Sequence, residues 1–198
     1  MVADLRFGRQ KGMGAVFDPQ TLHQIAAPLV GRGHIRNVVE SIHAELRHRY
    51  PRFIRPKLEW VLNNAGGSMG AFAILHASLS EYVIVFGTPI GTEGHTGRFR
   101  ADDYFIILDG EQWAFEAGSF EREVYRPGEL HHLKRGQAKG YRIPDHCWAL
   151  EYVRGCVPLM LPFGVADTLT STLDWKTLLS TMRLYTSSVV SSLLQGKI

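Results

Sequence analysis

The sequence is poor in most features that would announce a function directly. Cysteine occurs only twice in 198 residues, at Cys147 and Cys156. That excludes a disulfide scaffold and a cysteine-rich metal site. Asn64 to Gly70 has the glycines of a phosphate loop but not its Gly-Lys-Ser/Thr ending, which excludes a P-loop. No block of Lys or Arg stands out. The 22 basic and 19 acidic residues leave a net charge of +3, too small and dispersed for a nucleic-acid binder, though it suits an anionic membrane surface. Long hydrophobic runs are also missing. The longest charge-free stretch, Val61 to Ser80, is broken by Asn63-Asn64-Ala65-Gly66-Gly67-Ser68. Gly155 to Ala166 is short and carries Pro158 and Pro162, so no transmembrane span is predicted. Met1 to Gly14 is basic and polar, without the apolar centre of a signal peptide. Residues 1–16 are expected to form a flexible lead-in to one domain over 17–198.

What is present describes an ordinary globular domain, 45% hydrophobic and 21% charged. Asp18-Pro19 is an N-cap followed by proline at the first helical position, and Leu22, Ile25, Ala26 and Leu29 follow at helical spacing. Ile35, Val38, Val39, Ile42 and Leu46 mark one face of a second helix. A short third helix is predicted from Pro56 through Trp60-Val61-Leu62, ending at the Asn64–Gly67 turn. From Met69 to Val157 the pattern turns to short β-rich runs between glycines: Ala71–His76, Tyr82–Phe86, Arg98–Leu108, Gln112–Phe115, Glu121–Tyr125, Leu130–Leu133, Lys139–Ile143 and Cys147–Val153. Helix remains open for Ala71–Ser80. Such a region predicts a small barrel or sandwich. Beyond Pro162 a helical stripe returns, comprising Leu169, Leu173, Leu178, Met182, Tyr185, Val189 and Leu193, with a break near Thr172 or Asp174. This helix pair suits core packing, an oligomer contact or an interfacial membrane position.

Strand periodicity picks out two carboxylates. On Arg98–Leu108, Asp103 shares a face with Phe99, Ala101, Phe105 and Ile107, while Asp102 lies among basic and polar neighbours. On the strand from Cys147, Glu151 shares a face with Cys147, Ala149 and Val153. Two carboxylates facing one apolar interior are costly unless protonated or paired. Either each is paired with Arg, Tyr or His for structural reasons, or the two share a proton and form a device for moving protons on an apolar substrate or holding a cation. Glu81, with Val83 and Val85 on its face, is assigned a buried structural role. The adjacent His131 and His132 point to opposite faces of a strand and cannot readily chelate one ion, so no metal is expected. His95, in the Gly91–Gly97 loop, is read as structural.

At these residues the sequence resembles the family of fungal C-8 sterol isomerases and the sigma-1 receptor. The resemblance rests on Asn64-Ala65-Gly66-Gly67, Leu75-His76-Ala77-Ser78-Leu79-Ser80-Glu81-Tyr82, Phe86-Gly87-Thr88, Gly94-His95-Thr96-Gly97-Arg98, Tyr125-Arg126-Pro127-Gly128, Glu151-Tyr152, Ala166-Asp167-Thr168 and Ser171-Thr172, and spans about Phe17 to Leu194. Phe17-Asp18-Pro19, Thr92-Glu93-Gly94, Ala101-Asp102-Asp103-Tyr104-Phe105, His131-His132-Leu133-Lys134 and Leu161-Pro162-Phe163-Gly164 look like the fungal enzyme more than the receptor.

The resemblance implies an α+β fold: a cupin-like β-barrel around an apolar pocket, with N-terminal helices and a C-terminal pair of membrane-facing amphipathic helices. It implies isomerisation of a sterol Δ8 double bond to Δ7, a reaction without redox change that needs no cofactor or metal. The alternative is a receptor-like binder of cationic amphiphiles without turnover; a third, a membrane-associated scaffold, leaves the two acids unexplained. Glu151 matches the family's central pocket glutamate. The receptor's pocket aspartate aligns with Phe105, two residues beyond Asp103 on the same face, so Asp103 is the expected second acid, with Asp102 in reserve. Phe72, Tyr82, Ile84, Phe86, Leu161 and Tyr185 match pocket-lining positions. The implied partners are a sterol, cationic amine inhibitors, a membrane surface of the endoplasmic reticulum and further copies of the chain, a trimer being the receptor's arrangement. Family members carry an N-terminal transmembrane helix, and Met1–Gly14 departs from that pattern.

Overall fold

The computed structural model describes residues 14–198. Most of the N-terminal segment expected to be flexible, residues 1–13, lies outside the described residues; Val16 is tied by its N–H to Glu81 at 2.7 Å. Helix α1 (Pro19–Ala26) starts where Asp18 accepts from the Thr21 N–H at 2.8 Å, and it buries Leu22, Ile25 and Ala26. Helix α2 (Ile35–Arg49) buries Val38, Val39, Ile42 and Leu46.

The predicted third helix is not formed. Trp60–Ala65 is strand β1, paired antiparallel with β2 (Ser68–Ala77). Only Gly66 and Gly67 lie between them, at φ +65° and +84°. A two-residue hairpin turn with both φ values positive strongly favours glycine. The turn expected to stop a helix instead reverses a hairpin, and Ala71–Ala77 is strand throughout. Then follow β3 (Glu81–Thr88), β4 (Thr92–His95), β5 (Ala101–Gly110), β6 (Gln112–Phe115), β7 (Glu123–Tyr125), β8 (Leu130–Leu133), β9 (Gly140–Ile143) and β10 (Cys147–Gly155). Beyond a short 3-10 turn come α3 (Leu161–Asp167), a π-turn over Thr168–Thr172, and α4 (Trp175–Leu194). The break between them is Leu173, at φ +52°, followed by Asp174, which caps α4 by accepting from the Thr177 N–H.

The strands form two sheets, β1-β2-β3-β10-β5-β8 and β4-β9-β6-β7. Among the described residues no ladder joins them, so the expected barrel is corrected to an open sandwich. Helices α3 and α4 lie against β1 and β2 and cover that side, where a barrel would need strand pairing. Where the sheets meet they share a core of Ile107, Ala114, Tyr125, Ile143, Cys147 and Ala149. The outer face of the six-stranded sheet is filled by α1 and α2, with Val83, Val85, Ile106, Leu108, Leu150 and Tyr152 against Leu22, Ile25, Ile42 and Leu46. Among the described residues no helix is long and apolar enough to cross a membrane.

Candidate active site

Between the inner face of the six-stranded sheet, the second sheet and α3–α4 lies a cavity of about 550 Å³. That falls in the ~300–1,000 Å³ range of small-molecule sites. Phe72, Ile74, Tyr82, Ile84, Phe86, Asp103, Phe105, Ala149 and Glu151 line it from the sheet, Leu161 from α3 and Tyr185 from α4. All nine side chains singled out in the sequence therefore converge on one space. Asp102 does not: it is on the opposite face, bonded to His132 Nε2 at 3.0 Å and the Arg135 N–H at 3.2 Å.

The strand register assembles the acids. β10 sits between β3 and β5, and Val153 faces Tyr82 on one side and Asp103 on the other. Glu151, two residues along, faces Ile84 and Phe105. Glu151 is thus the diagonal neighbour of both Tyr82 and Asp103, at about 7–8 Å between Cα atoms, within reach of long side chains. The Tyr82 hydroxyl donates to Glu151 Oε1 at 2.5 Å. Asp103 Oδ1 is buried without a hydrogen-bond partner, as is the Tyr185 hydroxyl.

Burial raises the pKa of both acids, and they differ in what else acts on them. Asp103 is held well above the usual carboxylate range by burial first and the Glu151 charge second. Glu151 is also raised by burial, but the Tyr82 hydroxyl works in the opposite direction by stabilising its carboxylate. The Tyr82 hydroxyl donates to Glu151 and so stabilises negative charge on that member of the pair. Tyr82 is itself pushed well above 10, by burial first, so it stays a donor.

The other candidates are accounted for by structure. Glu81 is fully buried on the outer face, where it accepts from the Tyr152 hydroxyl at 2.8 Å and pairs with Lys197 at 3.2 Å. His131 stacks on Tyr125 and His132 on Tyr104, on opposite faces. His95 Nδ1 accepts from the Gly97 N–H at 2.9 Å, and His95 also borders the cavity. Sequence reasoning missed Tyr141, which enters the cavity from β9 and hydrogen-bonds Ser68. Leu178 and Met182 line the cavity too; their place in the helical stripe was visible, but the stripe alone did not say what it faced.

Residues 6–197 match the family described as "ERG2 and Sigma1 receptor like protein". The chain belongs to that family. It is 51% identical over 185 residues to the C-8 sterol isomerase erg2 of Aspergillus fumigatus, covering 92% of this chain and 77% of that one. It is 40% identical over 176 residues to the sigma non-opioid intracellular receptor 1 of Gallus gallus, covering 88% and 79%. Among solved structures, it is similar to a cupin domain of Schizosaccharomyces pombe, at 14% identity and a TM-score of 0.40, over 47% of this chain and 69% of that one. Asp103 occupies the cavity wall two residues before Phe105.

Proposed function

We propose that this chain is a C-8 sterol isomerase that moves a sterol Δ8 double bond to Δ7. The observation that carries the reading is the acid pair on an apolar wall, one member orphaned and one bonded to a tyrosine, in a chain half identical to an enzyme of that name. Asp103 gives its carboxyl proton to C-9: its O–H bond breaks, a C–H bond forms from the Δ8 electron pair, and a cation develops at C-8. The Glu151 carboxylate stabilises that charge in a largely apolar cavity. Glu151 then takes the proton from C-7, and the C–H electron pair becomes the Δ7 double bond. Transfer of that proton from Glu151 to Asp103 restores the starting state. Protons and electrons balance, and no oxidant is consumed.

An amine on an apolar frame carries the charge of this cation and should inhibit as an intermediate mimic. The receptor-like alternative, binding without turnover, uses the same carboxylate and is supported by the likeness to the Gallus gallus protein. One experiment separates them. The full chain is expressed in yeast lacking its sterol isomerase, and the sterols are analysed. Growth rescue with accumulation of Δ7 sterol is expected. A folded chain that binds amines but leaves Δ8 sterol unchanged overturns the isomerase reading in favour of the binder.

The same reading places the chain on the endoplasmic reticulum membrane, as a homo-oligomer for which the receptor suggests a trimer. In support, Leu159, Leu169, Leu173, Trp175 and Leu179 are exposed beside the residues of α3 and α4 that line the cavity. An apolar rim at the mouth of an apolar cavity suits entry of a sterol from a bilayer.

A further inference from the structure

The cavity side of β3 and β10 has a counterpart on the other face of the same strands. β3 begins Glu81-Tyr82 and β10 carries Glu151-Tyr152. The strands are antiparallel, with Tyr82 opposite Val153 and Tyr152 opposite Val83. The two dipeptides therefore bond crosswise. Tyr82 donates to Glu151 in the cavity at 2.5 Å, and Tyr152 donates to Glu81 in the core at 2.8 Å. Neighbours on a strand point to opposite faces. One short stretch of each backbone thus carries a member of both bonds, and whatever holds the core-side bond also sets the cavity-side one.

Besides Tyr152, the glutamate of the core-side bond has two further partners, Val16 and Lys197. Glu81 Oε1 accepts from the Val16 N–H at 2.7 Å and faces Lys197 Nζ at 3.2 Å. Lys197 is itself buried. Its ammonium donates to Ser80 Oγ at 2.7 Å, and its N–H donates to the Ser192 carbonyl at 2.9 Å, on the last turn of α4. His76 and Tyr50 lie within electrostatic reach of Glu81. Burial holds the His76 pKa down and the Tyr50 pKa up, so both are neutral there. Among the described residues, the cation within ion-pair distance of Glu81 is Lys197. A buried ion pair forms only where its remaining bonds are made. Here they end on Ser80 and Glu81 at the head of β3, on Val16, and on Tyr152 of β10.

We propose that Lys197 is a positioning residue for the acid pair: by fixing Ser80 and Glu81, it determines where the next residue, Tyr82, presents its hydroxyl to Glu151. Lys197 touches no cavity atom and acts through the backbone of β3. The kinetic consequence rests on the isomerase reading; the structural one does not.

The test compares Lys197→Met, Lys197→Arg and Tyr152→Phe in the full chain, with tyrosine labelled with ¹³C at Cζ. The Tyr82 resonance is assigned by its loss in Tyr82→Phe. In Lys197→Met and Tyr152→Phe it should move toward the position of a free phenol, and in Lys197→Arg it should stay near wild type. For Δ8 sterol, kcat should fall roughly tenfold in Lys197→Met, as expected for a misplaced group, with KM within about twofold. Lys197→Arg should recover most of the loss. Should Lys197→Met fail to fold, Tyr152→Phe decides, because it deletes one oxygen and keeps the ring. An unmoved Tyr82 resonance in a folded variant overturns the proposal, as does a fall in kcat that only follows the folded fraction. Absence of turnover by the wild type would overturn the isomerase reading, and the resonance would still judge Lys197.

Discussion

The two faces of the six-stranded sheet come from the same strands and differ in almost every physical respect. On the outer face, Val83, Val85, Ile106, Leu108, Leu150 and Tyr152 meet α1 and α2 in a filled apolar core. On the inner face, Tyr82, Ile84, Phe86, Asp103, Phe105, Ala149 and Glu151 border open volume. Alternation along each strand makes the sorting, so Leu150 and Glu151, neighbours in the chain, belong to opposite regimes. Stability is concentrated where atoms are in contact, and reactivity where a carboxylate is left without its usual partners.

The sharpest way to break this contrast uses those two neighbours. Glu151→Gln should lower isomerisation by about 10²–10⁴, the usual worth of a positioned acid or base, with little change in the melting curve. Leu150→Ala should destabilise the fold by about 2–5 kcal/mol, through lost transfer energy and a residual cavity, while the folded fraction keeps a near-wild-type kcat. Steady-state kinetics beside denaturant titration check both. A folded Leu150→Ala enzyme as inactive as Glu151→Gln would erase the distinction between the faces.

Tyr82→Phe sharpens the contrast within the cavity. A hydrogen bond to a charged group is worth about 1.5–3 kcal/mol, so kcat should fall by roughly tenfold to a hundredfold. The sign of the pH effect follows from the bond. Tyr82 lowers the Glu151 pKa; its loss raises that pKa, and the acidic limb of the kcat profile should move to higher pH. An unmoved limb would show that Tyr82 only fills space.

A third expectation concerns stability. Asp103 is raised far above its ordinary 3.8, so the folded state binds a proton that the unfolded state releases. Such an acid contributes its stability below the unfolded pKa and loses it as pH rises toward the folded one. Asp103→Asn cannot ionise, so its stability relative to wild type should grow as pH rises above about 4. Urea titrations at pH 4, 6 and 8 would reveal this; a constant difference would mean that Asp103 is charged in the fold.

The smallest effect separates two neighbours on α4. Leu179→Glu, on the exposed rim, should release the chain from vesicles with kcat unchanged on detergent-solubilised sterol. Leu178→Glu, in the cavity wall, should raise KM instead. Flotation and kinetics distinguish them.

These contrasts also mark how far the sequence was legible. Period-two alternation alone puts Asp103 and Glu151 on apolar faces, because a side chain's face follows from counting. Segments without alternation carry no such signal. Pro56 followed by Trp60-Val61-Leu62 suggests a short helix ending at the Asn64–Gly67 turn, although Gly66-Gly67 between two β-prone runs is the signature of a hairpin. Gly91, Gly94 and Gly97 suggest a loop over Gly91–Gly97, yet Thr92–His95 is strand β4. Gly94 is required by packing: a Cβ there would meet the Gly66 carbonyl oxygen at 2.6 Å and the Ser68 nitrogen at 2.7 Å. Whether strands close into a barrel depends on which edges meet, and no local pattern encodes that. The α4 stripe was visible, yet Leu178 and Leu179 could be assigned to cavity and rim only from the fold.

The position of β10 carries a consequence for biosynthesis. It is the final strand in chain order, yet it lies between β3 and β5. As the polypeptide leaves the ribosome, β3 and β5 each wait with an unpaired edge until residues 147–155 arrive. Open strand edges are templates for aggregation, and pairing at such sequence separation is slow. Nascent chains halted before Cys147 should therefore cling to chaperones. Since Glu151 rides on the inserting strand, the step that seals those edges is also the one that brings Glu151 to Asp103.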